Sequence, residues 1–145
     1  MPFLTTITVV GLVVLAGLVL LFMRTRQRDL IADIIAKRKP SSKLATRGEY
    51  MEGMQRIPVA LSITDTAVYY QNPDLDASLD LEQVEEVEYD RDELATGRSV
   101  PHGFQALRLR SHGHTFEFLL TMAETQQWAA VLPPHHADEP AAHAV

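Results

Sequence analysis

The sequence predicts an α+β protein: one membrane-spanning helix, then a small domain of antiparallel strands closed by a C-terminal helix. Three observations carry this. Residues 3–23 are an unbroken uncharged run, residues after Gly48 fall into short runs of period two, and residues 121–132 return to a helical period.

The run FLTTITVVGLVVLAGLVLLFM holds no charged side chain over 21 residues. At about 1.5 Å per residue it reaches about 32 Å, the thickness of a hydrocarbon core. A cleaved signal peptide would carry its positive charge before the apolar stretch and a small-x-small site after it. Here RTRQR follows instead, so the run is expected to remain as an anchor in the cell membrane. Arg24, Arg26 and Arg28 on its C-terminal side place that side in the cytoplasm and the N-terminus outside. No two small residues of the span lie four apart, so the small-xxx-small packing signature is missing.

Residues 24–39 continue the helix as a basic amphipathic segment. Leu30, Ile31, Ile34 and Ile35 form its apolar face, and Arg24, Arg26, Arg28, Lys37, Arg38 and Lys39 are expected to meet anionic headgroups. The apolar face suits the inner leaflet or a partner helix, or is incidental to a basic stop-transfer flank. Pro40 disfavours helix at Lys39, and residues 40–47 read as a linker.

Charge divides the chain. Residues 24–47 hold eight basic against two acidic side chains, a net of +6; residues 48–145 hold five against 17, a net of −12. The acidic body repels nucleic acid. With no cysteine, disulfides and thiolate metal sites are excluded.

From Gly48 on, Val59, Leu61 and Ile63 alternate with smaller or polar residues, as do Leu79 and Leu81, Val87 and Tyr89, Leu107 and Leu109, and Phe116, Phe118 and Leu120. Turns at Asp65-Thr66, QNPD (71–74) and Ser-His-Gly-His separate these runs, giving six or seven half-buried strands. Thr121 and Glu124 stand at capping-box spacing, and Thr125, Trp128, Ala129 and Leu132 form a helical stripe. Pro133-Pro134 ends the helix and residues 133–145 read as a disordered tail.

This order resembles the pleckstrin-homology (PH)-like barrel of bacterial and GRAM type. The phrases that carry it are LSITDTAVYY, SLDLEQVEEVEYD, FQALRLRSHGHTFEFLL and MAETQQWAAVL, over residues 48–132. The resemblance implies a binding module without catalysis, for phosphoinositides, peptides or proteins. Phosphoinositide-binding members resemble one another in clustered Lys and Arg at the first hairpin, where EYMEGMQRIP offers only Arg56. Multivalent phosphate needs several cationic donors, so a protein partner is the expectation.

Other candidates are weaker. Arg56, Arg108 and Arg110 are an anion site only if they escape the surrounding carboxylates; cross-strand pairing is the alternative. The run Asp80, Glu82, Glu85, Glu86, Glu88, Asp90, Asp92 and Glu93 reads as a solvated strand edge that discourages edge pairing. His102, His112 and His114, and His135, His136 and His143 in the tail, define no complete metal set. No nucleophile elbow, P-loop or H-E-x-x-H pair occurs, so neither enzyme activity nor a cofactor is expected. The chain thus reads as a membrane-tethered cytoplasmic adaptor. The alternative is a structural subunit of a membrane complex, contacting partners through the anchor and residues 24–39.

Overall fold

The computed structural model describes residues 1–132 and divides into two compact units, Met1–Leu30 and the chain from Ile31 onward. A single helix, α1 (Pro2–Arg38), supplies the whole first unit and opens the second. Its apolar side chains in the first unit are exposed, from Phe3 at 82% to Leu12 at 65%, and it is long and apolar enough to cross a membrane. A signal sequence at an N-terminus meets the same description. Pro40 acts as expected: α1 stops at Arg38 and Lys39–Ser41 is a single 3₁₀ turn.

Seven strands follow: β1 (Leu44–Glu52), β2 (Gln55–Ile63), β3 (Ala67–Asn72), β4 (Leu75–Asp80), β5 (Val84–Asp90), β6 (Phe104–Ser111) and β7 (His114–Thr121). They form one antiparallel sheet in the order β4-β3-β2-β1-β7-β6-β5. The short connections follow from their sequences. Gly53 takes φ +59° between β1 and β2. The Asn72 side-chain oxygen accepts from Asp74 N at 2.8 Å between β3 and β4. His112 and Gly113, at φ 51° and 76°, make the tight β6–β7 turn.

β1 begins at Leu44, where the sequence suggested a linker to residue 47, and residues 44–47 pair with Ile63 to Ala60. The alternation is hidden because two of its inward positions are Thr46 and Gly48. Thr46 accepts the Trp128 indole N–H at 2.8 Å. Gly48 leaves room for Leu61 and Leu120: a Cβ there would collide with the Leu61 side chain and lie 3.0 Å from Leu120 Cδ2. Gly48→Ala is therefore expected to cost about 1–3 kcal/mol by overpacking, read from the urea midpoint of a soluble fragment 31–132.

Inward residues of every strand meet in one core, so the sheet curves round it. Val59, Leu61, Ile63, Val68, Leu107, Leu109, Phe118 and Leu120 are its fully buried strand residues. Tyr50, Tyr70 and Phe118 pack with tilted or edge-on rings at centroid distances of 5.0–5.5 Å. Helix α2 (Met122–Val131) starts on a complete capping box of Thr121 and Glu124, and buries Thr125, Trp128 and, at its C-cap, Leu132. Ala129, placed on this stripe by spacing, is exposed. The stripe is centred on Thr125, Trp128 and Leu132, and Ala129 lies at its edge on the side away from Trp128.

The outer face of the sheet is also partly covered, in two places, which accounts for unbroken buried runs such as Val59 to Ile63 and Phe118 to Leu120. On β1, β6 and β7 the cover is the β5–β6 connection: Leu94 packs with Met51, Ala106 and Leu119, and Val100 and Phe104 flank them. On β2 and β3 it is the C-terminal end of α1. Ile31 is fully buried, Ile34, Ile35 and Arg38 are half-buried, and these four share one helix face. The Arg38 Nε donates to Gln71 Oε1 at 2.8 Å, and its guanidinium carbon lies 4.3 Å from the Tyr69 ring centroid. The helix face that carries Ile31 is thus covered in part and joined to β3 through Arg38, and Leu30, one turn position off it, is 39% exposed. Beneath this cover the buried Ser62 hydroxyl has no hydrogen-bond partner, nor has that of Ser42. Each such orphan costs about 1–3 kcal/mol.

Candidate functional site

Period two along β5 places Glu86, Glu88 and Asp90 on its outward face, and the register sets Glu88 beside Arg108 and Glu86 beside Arg110 on β6. The β6–β7 hairpin then sets Arg108 beside Glu117 and Arg110 beside Thr115. The segment after β5 folds back over this face, leaving a groove of about 490 Å³ lined by Glu86, Glu88, Asp90, Arg108, Arg110 and Thr115 together with Glu93, Leu94, Ala95 and Gly97.

Arg108 organises the groove. Its side chain is only 11% exposed, and its nitrogens lie 2.8 Å from Glu117, 3.1 Å from Glu88 and 3.3 Å from Asp90. It also donates to the Glu93 carbonyl. Glu117, 5% exposed, accepts the Ala95 N–H at 2.8 Å as well, so one buried ion pair ties the covering segment to the sheet. Burial alone would lower the Arg108 pKa; hydrogen bonds to Glu117 and Asp90 outweigh it and raise the value. Arg110, half-exposed, pairs loosely with Glu86 at 3.6 Å and Glu85 at 4.0 Å, a contact worth little. Glu86, Glu88, Asp90 and Glu93 against Arg108 and Arg110 leave the groove's lining a net of −2, with Glu117 adjoining it through Arg108.

The Asp90 carboxyl is held below the usual carboxylate range, first by the backbone N–H groups of Glu93 and Asp92 and then by Arg108. A depressed folded-state pKa means stability present above the unfolded value, about 3.9, and lost as pH falls through the folded one. The urea midpoint of the wild type should therefore fall as pH drops below about 4, and Asp90→Asn should remove part of that slope.

The three arginines proposed for an anion are not brought together as one. Arg108 and Arg110 face carboxylates in the groove. Arg56 pairs with Glu49 at 2.6 Å, 5.7 Å from the Phe104 ring centroid. Cross-strand pairing accounts for all three. Of the basic residues assigned to headgroups, Arg24, Arg26, Lys37 and Lys39 are exposed on their own units, as is Arg28; Arg38 instead grips Gln71 and Tyr69. His102, His112 and His114 are exposed, and His135, His136 and His143 lie outside the described residues with the rest of the proposed tail. Among the described residues no group of three or more His, Asp or Glu is placed to hold a metal ion.

Glu117 and its link to Ala95 escaped the sequence reading. A signal existed: a two-residue turn at His112-Gly113 fixes the hairpin register and sets Arg108 opposite Glu117.

No family model and no curated protein matches the chain. A solved structure does: the C-terminal domain of an unknown protein from Leishmania infantum, at 16% identity and a TM-score of 0.52 over 70% of this chain and 94% of that one. The similarity is one of fold.

Proposed function

We propose that the chain is a membrane-tethered, PH-like binding module on the cytoplasmic face, non-catalytic, whose partner is a protein. The observation that carries this reading is the pairing of Arg56, Arg108 and Arg110 with the domain's own carboxylates. A phosphate headgroup needs several unneutralised donors; the groove presents carboxylates and favours a cationic segment of a partner instead. Seven strands followed by a helix carrying buried Trp128 support the PH-like part of the reading. The uncharged run with Arg24, Arg26 and Arg28 after it supports the tether and its orientation.

Two readouts on the full chain test it. A reporter fused after Val145 should be active only in its cytoplasmic form; activity of an exported-type reporter would reverse the orientation. Proximity labelling in the native membrane should mark a protein set that Glu86→Lys/Glu88→Lys loses. Labelling unchanged by that double variant would move the contact away from the groove, to the anchor and its flank, as in a structural subunit.

A further inference from the structure

We propose that the face Ile31, Ile34, Ile35 has two alternative beds, the outer surface of β2–β3 seen here and an anionic lipid surface, and that Arg38 is the clasp between them. The inference rests on the tether reading and goes beyond it.

The contact is built as a releasable one. Ile31 is fully buried, yet Ile34, Ile35 and Arg38 are only half-covered. The sheet offers small buried side chains on this face, Ala45, Ala60 and Ser62, with Tyr69 as the large group beside them, and the Tyr69 ring meets the Arg38 guanidinium. The Ser62 hydroxyl is left without a partner, so the closed form carries an unsatisfied polar group that opening would hydrate. The specific attachment is polar and lies at one end: Arg38 to Gln71 and over Tyr69. Lys37 and Lys39 flank the same stretch and are exposed, so a released helix would present isoleucines beside ammonium groups. That is the composition of a segment that lies in the interface of an anionic leaflet. A neutral surface gives no electrostatic gain to set against the sheet contact, so opening depends on lipid charge.

The chain has no native cysteine, which makes the covered face directly readable. Ala60→Cys places one thiol on the outer face near the helix, and Ala106→Cys one under the β5–β6 connection elsewhere on that face, where Ala106 is fully buried. Each full-length variant is put into nanodiscs of phosphatidylcholine alone or with phosphatidylserine, and maleimide labelling rates are measured. The Ala60→Cys variant should label about tenfold faster with phosphatidylserine, in line with about 1 kcal/mol for each basic residue at an anionic surface. Adding Arg38→Gln should raise that rate in both lipids, and adding Lys37→Gln/Lys39→Gln should remove the lipid dependence. The Ala106→Cys variant should stay protected throughout. Ser62→Cys, a near-isosteric reporter on the same face, should repeat the Ala60→Cys result. Equal protection of the thiols at positions 60 and 62 in both lipids would overturn the proposal. So would opening at position 106 alongside them, which reports unfolding. A chain that fails to co-elute with the discs would overturn the tether reading and this proposal with it. Co-elution with unchanged protection overturns this one alone.

Discussion

Replacing Trp128 by alanine is expected to destabilise the domain by about 3–5 kcal/mol, enough to unfold a marginal domain of this size. The indole is fully buried at the centre of α2's buried stripe, and its N–H is bonded to Thr46 at 2.8 Å. Alanine would leave a cavity between helix and sheet that neighbours cannot close, because Phe118, Leu120 and Leu132 are already packed in the same core. It would also strip the Thr46 hydroxyl of its donor. Thr46→Val isolates that second part and should cost only about 1 kcal/mol. Urea titration of fragment 31–132, followed by far-ultraviolet circular dichroism, gives both numbers. A Trp128→Ala loss under about 1 kcal/mol would mean that α2 does not close the core.

Arg108→Met should be the most damaging change outside the core, at about 3–5 kcal/mol. Removing the guanidinium leaves Glu117, 5% exposed, as a buried charge with only the Ala95 N–H as partner. The penalty comes from that orphaned carboxylate more than from the lost attraction, so Arg108→Met/Glu117→Met should recover over half of it. A double variant as unstable as the sum of the singles would place the effect elsewhere. The single variant should also free the covering segment, so that trypsin cuts after Arg91 and Arg98, both exposed, at doses the wild type survives.

Most of the fold could be read from the sequence because its signals are local. The uncharged run, the turns at QNPD and His112-Gly113, and the capping box of Thr121 and Glu124 each act over a few residues. What was not legible depends on residues meeting over long separations. β1 hides its alternation behind Thr46 and Gly48, which are inward only because Trp128, Leu61 and Leu120 fill the space. The Ile31 face looked free because nothing nearby in sequence announces that Arg38 on that face meets Gln71 and Tyr69 of β3. Arg108 was legible as a cross-strand pairing residue; that it also holds the Glu93 carbonyl and fixes a groove was not, since the folding back of residues 91–103 has no period to show it.

Arg56, Arg108 and Arg110 are paired with the domain's own carboxylates, and vesicle binding by fragment 31–132 tests most directly whether that leaves any phosphate-gripping site. Vesicles containing a phosphoinositide and vesicles of phosphatidylserine are matched in surface charge, so that attraction to Lys37 and Lys39 is the same for both. Sedimentation should carry down no more of the fragment with the phosphoinositide than with phosphatidylserine. Excess binding to the phosphoinositide that is lost on Arg56→Gln, Arg108→Gln or Arg110→Gln, with the variant still folded, would contradict this and make lipid recognition the better reading of the domain.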